Sequence, residues 1–128
     1  MRLLLDTHAL LWWWFDDVPL SIRVKEAIGD RANAVHVSAA SGWEIATKIR
    51  KGHLAGLADR MADFERHLAD DGFRALPITM AHGVRSGALP GVHKDPFDRM
   101  LAAQSLMEEL TLVTCDRVMA DFGCKVLW

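Results

Sequence analysis

Four acidic residues of this sequence lie where apolar runs meet helical patterns. Asp6 directly follows the apolar run "RLLL", and Asp116 comes just after "LTLVT". Glu44 lies in the helical pattern that follows "AVHV", and Asp98 lies early in the helical pattern that precedes "LTLVT". Carboxylates that are brought together repel one another, which costs stability unless a cation neutralises them. Mg²⁺ or Mn²⁺ accepts such oxygen ligands and can activate a bound water molecule as a nucleophile, so the four acids are candidate metal ligands.

The positions of these acids depend on an alternation of strand and helix patterns. Short apolar runs predict strands at residues 2–5, 34–37, 73–78, 110–114 and 125–128. Periodic segments between them predict helices at residues 8–15, 21–28, 39–51, 57–69, 79–86 and 96–109. This alternation is typical of an α/β domain with a central, mostly parallel sheet of four to five strands. The C-terminal ends of parallel strands share one edge of the sheet, and the acids are expected there.

Helix capping and turn formation are competing explanations for three of the acids. The stretch "SGWE" from Ser41 to Glu44 matches a capping box, in which the glutamate bonds back to a backbone N–H. If the helix starts after Ser38 instead, Glu44 lies nearly two turns inside it and cannot cap it. Asp6 and Asp116 also suit turns or caps at strand ends.

The stretch "HKDPFDRM" carries the strongest capping signal. Asp95 stands before Pro96 as an N-cap residue does before a proline at the first helical position. Asp98 then falls at the third helical position, where a carboxylate complements the helix dipole. Capping explains this spacing, but it does not explain why four separate segments each bring an acid to the same edge.

Length and composition indicate a packed globular protein. The 128 residues are expected to form one domain, 1–128, and 51% of them are apolar and 25% charged. A net charge of −2 argues against a protein that coats polyanions nonspecifically. Cys115 and Cys124 match no zinc spacing and are expected to be reduced residues of the core. The N-terminal apolar stretch is interrupted by Asp6 and His8, so no export or membrane segment is expected and the cytoplasm is the expected location.

Five blocks of the sequence together resemble PIN-domain ribonucleases, and within them the VapC-type toxins of bacterial toxin-antitoxin pairs. The blocks are "LLLDTHALLWW", "VSAASGWEIATKIRKG", "LPIT", "HKDPFDRMLAAQ" and "LTLVTCD", and they span nearly the whole chain. The resemblance implies a three-layer α/β/α sandwich and a metal-dependent endoribonuclease that hydrolyses RNA with a metal-activated water. It also implies Mg²⁺ or Mn²⁺ as cofactor, homodimerisation, and an antitoxin partner that covers the active site.

Carried over position by position, the acidic set of the family falls on Asp6, Glu44, Asp98 and Asp116. Asp95 is an additional acid of the "DPFD" form, expected first as a cap and second as a member of the metal shell. Thr114, in the T-x-D pattern of the family, is expected either to hydrogen-bond a site carboxylate or metal-bound water, or to be an ordinary strand residue.

Several further residues have both a functional and a structural interpretation. Candidates for RNA contact are Lys48, Arg50, Lys51 and Arg117, and the alternative for each is a solvated surface charge. The cluster from Trp12 to Trp14 suits packing in a core or dimer better than stacking on bases. His8 and His93 lie near the acids in sequence, but hard-metal sites prefer oxygen, so neither is assigned as a ligand.

Two other functions compete with the ribonuclease hypothesis. Phosphoryl transfer through an aspartyl-phosphate on Asp6 would need a positioned proton donor, and "DTH" lacks the second acid that would supply it. A catalytically silent PIN-like module that binds protein or RNA would be expected to lack one of the four acids, and all four are present.

Overall fold

Five parallel strands form the central sheet of the computed structural model, which describes residues 1–15 and 20–128. The strands are β1 (Arg2–Leu5), β2 (Ala34–Ser38), β3 (Arg74–Leu76), β4 (Thr111–Val113) and β5 (Val126–Leu127). Their order across the sheet is β3-β2-β1-β4-β5, and every neighbouring pair is parallel. The predicted parallel sheet of four to five strands is therefore confirmed, with strands that are mostly shorter than the apolar runs.

Helices connect the strands. They are α1 (Thr7–Phe15), α2 (Ile22–Gly29), α3 (Ala39–Arg50), α4 (Ala58–Ala62), α5 (Phe64–Asp70), α6 (Met80–Ala88), α7 (Pro96–Met107) and α8 (Val118–Asp121). The single helix predicted for residues 57–69 is wrong, because Asp63 adopts a non-helical conformation (φ −130°, ψ 46°) and separates α4 from α5. The four-residue helix α8 was not predicted, since one turn is too short to show a helical period.

Alternating side chains of the strands supply two apolar layers. Leu3 and Leu5 of β1 pack into one buried cluster with residues of α1, α2, α3 and α5. Leu4, which points to the opposite face, packs into a second cluster with Leu101 of α7 and Met119 of α8. Because successive side chains of a strand point to opposite faces, helices cover both sides of the sheet. The expected three-layer α/β/α arrangement is confirmed.

The strand order of the sheet reverses direction at β1. The chain winds from β1 to β2 and β3 on one side, and β4 and β5 pair on the other side. Leu5 is aligned with Val113, and the backbone N–H of Asp6 donates to the carbonyl of Val113 at 3.1 Å. Ligand sites of open α/β sheets lie at such a reversal of strand order.

The observed start of α3 distinguishes between the two helix starts considered from the sequence, one after Ser38 and one with a capping box from Ser41 to Glu44. Ser38 is the N-cap, and its side-chain oxygen accepts a hydrogen bond from the N–H of Ala40 at 3.0 Å. The capping-box interpretation of Glu44 is therefore wrong, because Glu44 lies well inside the helix.

The described residues form no helix long and apolar enough to cross a membrane.

The two cysteines have different environments. Both are free, and Cys124 is buried as expected. The expectation that Cys115 belongs to the core is wrong, since this residue is exposed. It follows the last residues of β4, where the chain leaves the sheet, so its side chain is no longer covered by the helical layers.

Asp95 caps α7 as the sequence predicts. Its Oδ1 accepts hydrogen bonds from the N–H groups of Phe97 at 2.9 Å and Asp98 at 3.3 Å, and Pro96 is the first helical residue. These bonds satisfy donors that have no partner within the helix. The cap therefore sets where α7 begins and how far along it Asp98 lies.

We predict that Asp95→Ala is less stable than Asp95→Asn by about 1 kcal/mol in free energy of unfolding. Both substitutions remove the same charge, and asparagine keeps the acceptor oxygen, so their difference isolates the cap. Urea denaturation of the two variants measures it. Equal stabilities would show that the cap contributes nothing.

Candidate metal centre at the C-terminal edge of the sheet

Asp6 is a buried acid at the end of β1. Its side chain is only 9% exposed, and its Oδ1 accepts a hydrogen bond from the N–H of Ala9 at 2.7 Å. Burial raises the pKa of Asp6, and the charge of Asp98 adds to this effect, while hydrogen bonds from Thr114 and Ala9 oppose it. Asp6 thus caps the first turn of α1 and also holds a carboxylate in a poorly solvated position.

Asp98 is the acid that interacts with most of the others. Burial raises its pKa, and the charges of Asp95 and Glu44 raise it further, while the hydrogen bond with His93 lowers it. Since the charge of Asp98 also raises the pKa of Asp6, Asp98 is close enough to repel both Asp6 and Glu44.

Asp116 also lies close to Asp98. One ligand atom each of His93, Asp98 and Asp116 lies within 4.8 Å of the others. Two hydrogen bonds order the loop that carries Asp116. The backbone N–H of Asp116 donates to the hydroxyl of Thr114 at 3.0 Å, and Oδ1 of Asp116 accepts from the N–H of Val118 at 3.0 Å. Asp98 therefore lies near Asp116 in addition to its electrostatic interactions with Asp6 and Glu44.

Glu44 has a cationic neighbour on its own helix. The Nζ of Lys48 lies 3.4 Å from its Oε2, an i, i+4 pair along α3. Arg50 and Lys51 are exposed at the end of the same helix, and Arg117 is exposed directly after Asp116. Lys48 thus contacts an acid of the cluster, whereas the other three cations are available to solvent.

The donor set fits a hard divalent cation. Its oxygen atoms come from carboxylates on separate elements, and their mutual repulsion is the condition that a cation relieves. Burial of Asp6 further favours a bound cation, because an ionised carboxylate with little solvent around it is stabilised by a nearby positive charge.

Two residues of the site were not assigned a role from the sequence: His93 was considered but not assigned as a ligand, and Arg99 was not singled out. His93 lies with its Nε2 2.9 Å from Oδ2 of Asp98, and the only sequence signal was its position five residues earlier. Arg99 donates hydrogen bonds to the carbonyls of Ser86, Leu89 and His93, and so ties the loop before α7 to that helix. No sequence pattern predicts this set of contacts.

The tryptophan cluster packs as expected. The three side chains lie partly buried against the first apolar layer. Trp12 meets Trp128 edge to face at 5.4 Å, and Trp14 meets Phe64 at 5.5 Å. An exposed aromatic next to the acids is instead Trp43, 61% exposed, whose ring lies 4.7 Å from that of Phe97.

The fold and the site together define an α/β/α domain with an acidic cluster at the reversal point of its parallel sheet. A family model described as "PIN domain" matches residues 3–123. Ribonuclease VapC22 of Mycobacterium tuberculosis is 31% identical over 115 residues, which cover 89% of this chain and 86% of that protein.

Solved structures share the fold. A chain of the VapBC2 crystal structure from Rickettsia felis, bound to a DNA fragment from their promoter, aligns with a TM-score of 0.74 and 15% identity over 99% of this chain and 98% of that chain. FitAcB from Neisseria gonorrhoeae aligns with a TM-score of 0.66 and 19% identity, covering 100% of this chain and 97% of that chain. The chain belongs to the PIN domain family, and within that family to the VapC-type proteins.

We predict that Asp98→Asn stabilises the metal-free protein relative to wild type, increasingly as pH rises. The pKa of Asp98 is raised in the folded state, so at acid pH the carboxyl is protonated both folded and unfolded and costs nothing. As pH rises through the unfolded value of 3.8, ionisation increasingly favours the unfolded chain, and the cost is complete above the folded pKa.

Urea denaturation in EDTA at a series of pH values from about 3 to about 7 measures this gain. Asp59→Asn, which changes an exposed acid of α4, is the matched control and is expected to show no such trend. A gain for Asp98→Asn that is constant with pH would contradict the prediction.

Proposed function

We propose that this chain is a metal-dependent endoribonuclease and the toxin of a type II toxin-antitoxin pair that acts in the cytoplasm. The acids proposed to hold one or two Mg²⁺ or Mn²⁺ ions are Asp6, Glu44, Asp98 and Asp116, with Asp95 primarily a cap. The proposal rests on the electrostatic interaction of Asp98 with Asp6 and Glu44, on its proximity to Asp116, and on similarity to a protein named a ribonuclease.

A bound ion would orient and activate a water molecule and stabilise charge on a phosphate oxygen. Residues of the chain would hold the ion and keep its ligands in position. Asp6 and Asp98 come from different layers of the fold, so they would hold the ion between β1 and α7. Thr114 would keep both Asp6 and the Asp116 loop in position, since its hydroxyl interacts with each.

Contacts with RNA are proposed for exposed cations and for an exposed aromatic side chain. Arg117 directly follows Asp116, and exposed Arg50 and Lys51 close α3, so these cations would bind phosphates. Trp43 lies next to Glu44 with much of its ring exposed, and an exposed indole suits stacking on an unpaired base. Lys48 is proposed mainly to balance Glu44.

An antitoxin is the proposed protein partner. Structural relatives of this chain are described as a VapBC2 structure and as a toxin-antitoxin complex from Klebsiella pneumoniae, the latter with a TM-score of 0.65 and 19% identity over 98% of this chain and 96% of that chain. By analogy, an antitoxin segment would cover the acidic edge of the sheet and exclude RNA.

A homodimer is also proposed, with α6 at its interface. Met80 and Val84 lie one turn apart on this helix, and they are 85% and 66% exposed. Ile78, just before the helix, is 38% exposed. Contiguous apolar side chains of this kind are costly to leave in water, which favours burial against a second copy.

We predict that wild type cleaves single-stranded RNA in Mn²⁺ or Mg²⁺, and that Asp6→Asn and Asp98→Asn lose about a hundredfold or more of this activity. Asparagine keeps the shape of each side chain and removes the charge that binds the ion. Gel-based cleavage rates, with circular dichroism to verify folding, measure the effect, and Asp59→Asn is the control. An Asp98→Asn protein that cleaves RNA as fast as wild type would refute the proposal. A wild-type protein that neither binds metal nor cleaves RNA would favour the catalytically silent module.

We predict that a Met80→Glu, Val84→Glu double variant halves the mass measured by light scattering after gel filtration. Two buried carboxylates would oppose the apolar contact. Ile22→Glu is the matched control, since Ile22 is 76% exposed on α2, away from the proposed interface. A wild type that is monomeric, or a double variant that stays dimeric, would rule out this interface.

A further inference from the structure

His93 lies against the acidic cluster although it is not one of the four acids. It belongs to the loop between α6 and α7, and its Nε2 is 2.9 Å from Oδ2 of Asp98. A ring nitrogen of His93 and a carboxylate oxygen of each of Asp98 and Asp116 lie within 4.8 Å of one another. The histidine therefore faces the same space as two of the proposed ligands.

The position of His93 is held from several sides. Its backbone carbonyl accepts a hydrogen bond from Nη1 of Arg99 at 2.9 Å. Its ring packs edge to face on Phe122 of the segment after α8, with centroids 6.0 Å apart, and the guanidinium of Arg99 lies over the same phenyl ring at 5.6 Å. The side chain is 24% exposed. A surface histidine in free solvent has none of these restraints.

The spacing suits two ligands of one ion. Around an octahedral ion with bonds of about 2.1 Å, neighbouring ligand atoms lie about 3 Å apart. The 2.9 Å between His93 and Asp98 matches this separation, so the pair can occupy adjacent positions on an ion with little movement. Without an ion, the same two atoms form a hydrogen bond.

We propose that His93 is a nitrogen ligand of the metal ion, beside Asp98 and Asp116, and that it biases the site toward Mn²⁺ over Mg²⁺. This inference rests on the proposed function, because it requires that the acidic cluster binds a divalent cation. Imidazole nitrogen binds first-row transition ions more readily than Mg²⁺, which prefers oxygen. An all-carboxylate site would show a weaker preference for Mn²⁺.

Pulsed electron paramagnetic resonance of the Mn²⁺-loaded protein tests the inference directly. A histidine ligand gives a ¹⁴N coupling to Mn²⁺, which changes to a ¹⁵N coupling when the protein is produced with ¹⁵N-labelled histidine. We expect this signal in wild type and in His8→Gln, and its loss in His93→Gln. His8 is the matched control because it is exposed and lies near Asp6. Burial is the main effect on the pKa of Asp6 and raises it, and the nearby His8 lowers it.

Calorimetric titrations supply the second measurement. Loss of the nitrogen ligand in His93→Gln is expected to weaken Mn²⁺ binding about tenfold and Mg²⁺ binding less than twofold. The isotope exchange in wild type needs no substitution, so the absence of a histidine ligand would overturn the inference even if a variant folds poorly.

The outcomes separate this inference from the proposed function. Mn²⁺ that binds wild type without nitrogen coupling would overturn the role of His93 and leave the metal-dependent nuclease standing. Coupling that persists in His93→Gln, or disappears in His8→Gln instead, would overturn it equally. Absence of Mn²⁺ binding by wild type would overturn both.

Discussion

Repulsion among carboxylates at the C-terminal edge of the sheet sets the demands on the surrounding structure. Asp98 interacts with Asp6 and Glu44 and lies within reach of Asp116, while Asp6 is almost fully buried. Such crowding costs stability in the metal-free protein, and it persists only because the rest of the fold holds the acids in place. The two apolar layers supply that support, since β1 contributes side chains to both of them and α7 packs into the second.

Structural and proposed functional roles coincide at several residues. Asp6 accepts a hydrogen bond from the first turn of α1 and also contributes a charge to the cluster. Asp95 caps α7, and this cap determines that Asp98 lies in the first turn of the helix. Thr114 directly follows β4 and interacts with both Asp6 and the backbone of Asp116. The capping and metal-binding interpretations are therefore compatible rather than alternatives.

The loop before α7 depends on one cation. Arg99 satisfies three backbone carbonyls of the segment from Ser86 to His93, and its planar group of donors suits such multiple contacts better than lysine would. The same guanidinium lies over Phe122, on which the ring of His93 packs. Through these contacts Arg99 joins the "DPFDR" stretch, the loop and the C-terminal segment into one support for Asp98.

The sequence by itself determined the strand positions, the parallel sheet and the edge at which the acids lie, because apolar periodicity and cap chemistry act over a few residues. It also predicted the cap at Asp95 for the same reason. Only the tertiary structure decided that α3 starts after Ser38, that Asp63 divides a helix and that Cys115 is exposed. The approach of His93 to Asp98 likewise depends on the path of a loop, which is set by contacts of Arg99 with carbonyls up to 13 residues away. Packing between distant segments fixes such contacts, and no local pattern of residue types encodes them.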